Sequence, residues 1–402
     1  MRDLADALAL VLGGVEPLAA ERVSLEDAAG RVAAGEGRSL VDLPPFDRSA
    51  MDGFAVRAQD VAVGRPLALA GDVAAGADVR ARELAPGSAL RISTGAAIPA
   101  GADAVLQVEH AEAVDGRVTP TRAVERGLHV RRHGEDVRAG DLLLRPGERL
   151  TLPRLSSLAA AGVGAIAVHR RPRLHLLVTG DELLAAGAPP QPGKVHESNG
   201  LLVRLLARRA GAELVDHGVV ADDAGATLAA VEAGLAGDVL VVTGGVSVGP
   251  HDHVKPAFAA AGVDEVFWRV RMKPGKPLWF GRRGATLVFG LPGNPLAVIV
   301  CAAVFVLPAL RRLAGERDAG PALIRGRLGE PAGPSDGRTT FLTARLERAA
   351  DGVLEAFPTR RQGSHMTGAL GVSDGFAIAP HGSGELPAGA AVDLLALEPE
   401  SL

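Results

Sequence analysis

Between residues 173 and 313 short apolar runs alternate with longer stretches of helical spacing: LHLLVTG, SNGLLVRLLARRAG, AELVDHGVV, DDAGATLAAVEAGLAG, DVLVVTGG, then TLVFG before PLAVIVCAAVFVL. Alternation of this kind predicts βαβ units and a parallel sheet. Ligands of such sheets bind at the carboxyl ends of the strands, which here carry Thr179-Gly180-Asp181-Glu182, Thr243-Gly244-Gly245 and Gly290-Leu291-Pro292-Gly293-Asn294-Pro295. The apolar stretch 296–310 is shorter than the roughly 20 residues a bilayer needs. It is bracketed by Pro295 and interrupted by Pro308, and predicts a buried helix.

The flanks have other periods. Residues 46–140 are rich in Gly, Pro and short alternating runs such as SALRIS and ADAVLQVEH, which predicts a β-rich domain. Stretches 4–15 and 152–161 have helical spacing, the second with Thr151 at the cap position and Pro153 in its first turn. Together they predict one helical N-terminal domain, residues 1–45 and 141–168, into which the β-rich segment 46–140 is inserted. After 318, runs such as ALIRGRL, TTFLTARLER and AVDLLAL, parted by Gly and Pro, predict a small C-terminal β-barrel or sandwich over 319–402. The expected fold class is α/β multidomain, with a central parallel-sheet domain at 169–318.

Composition narrows the function. The 402 residues are 47% apolar, which excludes a disordered or collagen-like chain, and a net charge of −4 leaves no footprint for generic nucleic-acid or membrane binding. A single cysteine, Cys301, rules out a disulfide framework and a cysteine-based zinc site. The N-terminus has Asp3 and Asp6 within its apolar pattern and lacks a basic segment before a cleavable apolar one, so the expected compartment is the cytoplasm. Positive charge is otherwise nearly all Arg, yet the chain keeps Lys194, Lys255, Lys273 and Lys276. Asn199, Asn294, Trp268 and Trp279 fall in or beside the same segment, and that concentration points to a site.

The run VTGGVSVGPHDH, 242–253, reads as a strand followed by a Gly-rich turn whose backbone N–H groups can face an anion, because no Cβ blocks the approach. The basic loop that follows, Arg269, Arg271, Lys273 and Lys276 in WRVRMKPGKPLW, adds fixed cations suited to a phosphate or another oxyanion. Asp52, Glu182, Asp222, Asp223 and Asp252 each sit in a turn or at a helix start; converging on a phosphate they would suit a hard divalent cation. Their simpler role is capping, expected above all of Asp222 and Asp223, and also of Ser198 and Asn199. His251 and His253 beside Asp252 are weak evidence for a transition metal.

The strings PPFDRSAMDGFAV, RISTGAAIPAGADAVLQVEH, GEDVRAGD, VTGDELL, GKVHESNG, TGGVSVGPHD, KPGKP and GLPGNP occur in this order. Across nearly the whole chain this resembles the molybdopterin molybdenumtransferase family, which includes the E domain of gephyrin. The resemblance implies a homodimer of four-domain protomers, with an adenylyltransferase-like, molybdopterin-binding central domain. The active site is expected between that domain and the N-terminal domains of the other chain. It implies molybdate and adenylylated molybdopterin as substrates, Mg²⁺ as the divalent cation, and AMP as a product. Transient partners would be a molybdopterin adenylyltransferase and molybdoenzyme apoproteins. By motif position the catalytic residues fall on Asp52, Thr94, Glu182, Asp222, Asp252, Lys273 and Lys276, with Asp52, Glu182, Asp222 and Asp252 as metal ligands. Ligand-binding positions are Gly244, Gly245, Ser247, Gly249, Arg269, Pro292, Gly293, Asn294, Pro295 and Ser364. Arg269 stands where the family often has Lys, His129 where it often has Asn, and Glu197 in a string that often contains Asp. Other readings of the same fold are a non-catalytic scaffold, a molybdopterin carrier and an adenylyltransferase; the last would account only for about 170–315.

Overall fold

The computed structural model describes residues 1–246 and 252–397. Its centre is a six-stranded sheet in the order Glu213–Val220, Arg173–Thr179, Val239–Thr243, Thr286–Leu291, Trp279–Arg283, Asp264–Trp268. The first four strands are parallel. The run VLVVT is buried at every position, and its alternate residues enter opposite cores: Val239 and Val241 on one face, Leu240 and Val242 on the other. Burial on both faces accounts for the uninterrupted apolar spelling. The last two strands depart from the expected parallel sheet, because the two tryptophan-bearing segments pair antiparallel. A hairpin at Gly284 is too short for a parallel crossover.

The apolar helix differs from its expected extent. It runs from Pro295 to Leu313, and most of it is buried. Pro308 does not end it, because the turn before it, Ala302–Val306, widens into a π-helix. That widening lets the chain pass a residue with no N–H to give.

The two N-terminal helices pack in different cores. Leu4–Leu12 buries Ala7 and Val11 in the central core, and its end is held by Arg282, which donates to the carbonyls of Leu10, Val11 and Gly13. A cation on the last carbonyls suits the negative helix terminus. Leu152–Ala160 instead packs Leu158 on Leu144, Leu150 and Ile166, beside the antiparallel pair Ala20–Ser24 and Ala165–His169. Thr151 holds the cap position but makes no capping hydrogen bond.

The β-rich segment contains a six-stranded sheet, Ala104–Gln107, Gly53–Val56, Ser88–Ile92, Leu67–Val73, Arg117–Pro120, Ala111–Val114, with two small cores of its own. At the C-terminus Thr339–Arg348, Leu354–Pro358, Leu323–Leu328, Ala391–Ala396 and Gly375–Ala379 close on one another, the last pairing back to the first. This closed five-stranded barrel is joined to the central domain by Met272–Lys273, which pairs with Thr339–Thr340.

Candidate active site

The four parallel strands end together: Thr179 is in register with Val220, Val178 with Thr243, and Thr243 with Leu291. The turns that follow therefore share one edge of the sheet, and between them lies a cavity of about 350 Å³. Glu182, Asp222 and Asp252 line it, with Gly244, Gly245, Pro292, Gly293 and Asn294. Glycine is required at two of these points. At Gly244, with φ +92°, a Cβ would lie 2.7 Å from the Thr179 carbonyl oxygen, and at Gly245, with φ +63°, 2.5 Å from a Val254 methyl. The bare backbone at these turns leaves room for a ligand to approach closely.

The two adjacent aspartates divide their work. Asp223 is the helix cap, accepting from the Ala226 N–H at 2.8 Å. Asp222 does not cap that N–H: it accepts from the Asp181 N–H at 3.1 Å, while Asp181 accepts from the Asp222 N–H at 3.2 Å. This reciprocal pair ties two strand ends together and holds Asp222 on the cavity wall beside Glu182. Lys194 closes the same turn from the other side by donating to the Asp181 carbonyl.

A second cavity of about 700 Å³ shares Pro277, Pro292 and Asn294 with the first and extends to the barrel. Lys273, Lys276 and Ser364 line it. Lys273 pairs with Asp336 at 3.1 Å, whereas Lys276 has no carboxylate partner among the described residues. Asn294 makes no side-chain cap to the helix it precedes and donates instead to Ser364 Oγ at 3.1 Å, linking the LPGNP turn to the barrel. The basic loop rests on the core: at Gly275, with φ +107°, a Cβ would lie 2.8 Å from Cys301 Sγ and from the Met272 methyl. Burial pushes the Cys301 thiol well above its ordinary value, so it stays protonated under the loop.

Three expected positions lie apart from this cleft. Asp52 and Thr94 are exposed on the β-rich sheet and belong to neither cavity lining, although they meet each other: Asp52 accepts from the Thr94 N–H at 2.7 Å. Gly53 fixes that corner, since a Cβ there would fall 2.1 Å from the Leu106 carbonyl oxygen. Arg269, at φ 74°, lies with its guanidinium 4.0 Å from the Trp268 ring centre, and Lys255 approaches the same ring at 3.8 Å. Pro295 begins the core helix at the cleft edge. Ser247, Gly249 and His251 lie outside the described residues.

Sequence reasoning undervalued Asn199. It is not the helix cap; its amide donates to the Gly293 carbonyl at 2.7 Å, and its Oδ1 is buried without a partner on the cavity wall. Thr243 Oγ1 is likewise buried and unpartnered on that wall. Unpaired buried acceptors and hydroxyls are costly without a ligand or water. The signal was present in the rarity of asparagine, a residue kept at only two positions.

Comparison with known proteins agrees with this layout. Residues 2–162 match the MoeA N-terminal region (domain I and II), 175–312 a probable molybdopterin binding domain, and 325–397 the MoeA C-terminal region (domain IV). The molybdopterin molybdenumtransferase of Haemophilus influenzae is 34% identical over 381 residues, 94% of each chain. Molybdopterin molybdenumtransferase 2 of Mycobacterium tuberculosis is 36% identical over 389 residues, 91% of this chain and 92% of its own. Two crystal structures of the molybdopterin biosynthesis protein moeA from Pyrococcus horikoshii superpose with TM-scores of 0.82, at 32% and 28% identity and over 98% of this chain. Agreement over the full architecture and at a third of all positions shows that this chain belongs to the molybdopterin molybdenumtransferase family.

Proposed function

We propose that this chain inserts molybdate into adenylylated molybdopterin and releases AMP. The observation that carries the reading is the continuity of the two cavities. Carboxylates and bare glycine turns face one end of the cleft, and the lysines of the basic loop face the other. In this reading the pyrophosphate of the substrate lies over Gly244 and Gly245, and Lys273 and Lys276 hold the incoming oxyanion by charge. Placing molybdate on two thiolates requires orientation and charge screening more than a protein nucleophile. The buried Cys301 thiol takes no part.

Among the described residues no three acidic or histidine side chains form a cage for a metal ion. Glu182, Asp222 and Asp252 nevertheless share one cavity, and Mg²⁺ binds one or two carboxylates together with substrate phosphates and water. The donor set fits such an ion, which when bound would neutralise charge on the pyrophosphate. Asp52 stands outside this set within one chain, so the proposal includes a homodimer in which the Asp52–Thr94 corner of one chain completes the cleft of its partner. An adenylyltransferase would supply the substrate, and molybdoenzyme apoproteins would take the product.

The test is AMP release from adenylylated molybdopterin by the purified protein with Mg²⁺, with and without molybdate. Molybdate-dependent AMP release that disappears in Asp222→Asn supports the proposal. Tight substrate binding without AMP, or consumption of ATP with non-adenylylated molybdopterin, overturns it.

A further inference from the structure

At the opposite, amino-terminal edge of the central sheet two adjoining cavities of about 220 and 400 Å³ share Arg149, Arg209 and Ala210. The helices Asn199–Arg209 and Pro295–Leu313 begin at the cleft and end here; at 1.5 Å per residue the two places stand roughly 15–30 Å apart. Arginines line this groove from several directions, and Arg170 and Arg171 also line an adjoining cavity with Glu21, Glu213 and Asp238. Arg31 and Arg149 come from the N-terminal region, Arg170 and Arg171 from the segment entering the sheet, and Arg209 and Arg311 from the last turns of the two helices.

Part of this charge is matched internally. Arg31 binds Glu21, Arg170 grips Asp238 through two bonds of 2.7 Å, and Arg149 and Arg311 share the one carboxylate of Glu316. Arg209 also donates to the Leu397 carbonyl just past the last barrel strand, which joins the barrel to the core, and Arg311 donates to the Gly320 carbonyl in the segment leading to the barrel. That joint does not use all the charge. Leaving Arg209 aside, five guanidiniums meet three carboxylates, and Arg171 has no hydrogen bond or ion pair from its side chain among the described residues. The Arg31 side chain is only 10% exposed, and its Nε is buried without a partner. Burial lowers both Arg149 and Arg311 from their ordinary values, and neighbouring guanidiniums lower them further. Crowding desolvated like charges is unfavourable, and a bound anion relieves it. Glu316 also lines the larger cavity, its charge taken up by Arg149 and Arg311, and the rest of that wall is apolar, with Leu206, Leu307 and Leu395.

We propose that this groove is a second ligand site, taking a small anion with two linked phosphate groups, one for each cavity, whose attached body, where present, packs on the apolar wall. A single tetrahedral oxyanion reaches only one cavity. Two linked ones engage the forked donors on both sides of Arg149.

The test is calorimetry at low ionic strength on the full chain with pyrophosphate as the probe. A Lys273→Gln/Lys276→Gln background assayed without divalent cations weakens pyrophosphate binding at both ends of the catalytic cleft, because the lysine charges are gone and Glu182, Asp222 and Asp252 at the glycine end repel an anion that no cation screens. Pyrophosphate is expected to bind this background at one site, with inorganic phosphate weaker by about tenfold or more. Adding Arg171→Gln, an exposed change that leaves the joint intact, is expected to weaken pyrophosphate by about tenfold, and Arg209→Gln to weaken it as well. A nucleoside diphosphate that binds more tightly than pyrophosphate identifies a nucleotide-like ligand on the apolar wall. Equal affinity identifies free pyrophosphate, and either ranking supports the site. Failure of pyrophosphate to bind the lysine-substituted background, or affinity unchanged by both arginine substitutions, overturns it and leaves the arginines as a joint alone.

Discussion

Two corners of the molecule are built by one device and open onto different surroundings. At the end of the central sheet Asp222 accepts a backbone N–H from the neighbouring turn, and on the β-rich sheet Asp52 accepts one from Thr94. The first corner faces a cavity into which four parallel strands deliver their ends, whereas the second faces solvent. The difference comes from the cores. The turns of the cleft share the packing that aligns the central strands, while Phe54, Ala55 and Ile92 beside Asp52 sit in separate small cores. Packing within one chain aligns the cleft turns with one another and leaves the Asp52 corner outside the cleft. Assembly with a second copy is the proposed remedy, and it makes the two corners separable by experiment.

The largest expected effect falls on both corners alike. Asp222→Asn and Asp52→Asn should each reduce AMP release by about 100-fold or more, while thermal unfolding shifts little, because each change keeps the size and an acceptor oxygen at the turn. A loss for Asp222 alone would confine the chemistry to the central sheet. Next, Gly275→Ala should lower stability by about 1–3 kcal/mol in denaturant unfolding, since its Cβ meets Cys301 and Met272, and it should displace the lysines of the loop.

The arginine groove supplies a pH test away from both corners. Burial alone would raise the Asp238 carboxyl, but the Arg170 guanidinium and the Arg173 N–H hold it below its ordinary value. A lowered acid contributes stability above its unfolded value of about 3.9, and the contribution is lost as pH falls through the folded value. Asp238→Asn should therefore be less stable by about 1–2 kcal/mol at neutral pH, with the gap closing below about pH 4. The smallest expected effect is that of Ser364→Ala. It removes the bond from Asn294 that links the two cavities' walls and should raise KM several-fold, matching about 0.5–1.5 kcal/mol, with kcat nearly unchanged.

Much of this was legible in the sequence where burial dictates spelling. Strands such as VLVVT are buried on both faces and read as unbroken apolar runs, and their glycine-bearing ends mark the cleft. Direction is not spelled: WFGRR carries the same apolar signal in an antiparallel strand as in a parallel one. Helical spacing shows that Leu4–Leu12 has a face to bury but not which core receives it. Pro308 reads as a break because a π-turn upstream leaves no mark in local propensity. Asp222 and Asp223 are equal letters in one helix start, and only the position of the Asp181 turn separates a brace from a cap.

The measurement that tests the account most directly is subunit complementation. Asp52→Asn and Asp222→Asn chains, each inactive alone, are mixed after dissociation and reassociated, and molybdate-dependent AMP release is assayed. If each cleft is completed by the partner's Asp52 corner, mixed dimers carry one intact site, and random pairing restores about a quarter of the parental activity. Activity that stays at the level of the separate variants, while mixed dimers are shown to form, contradicts a cleft shared between two chains.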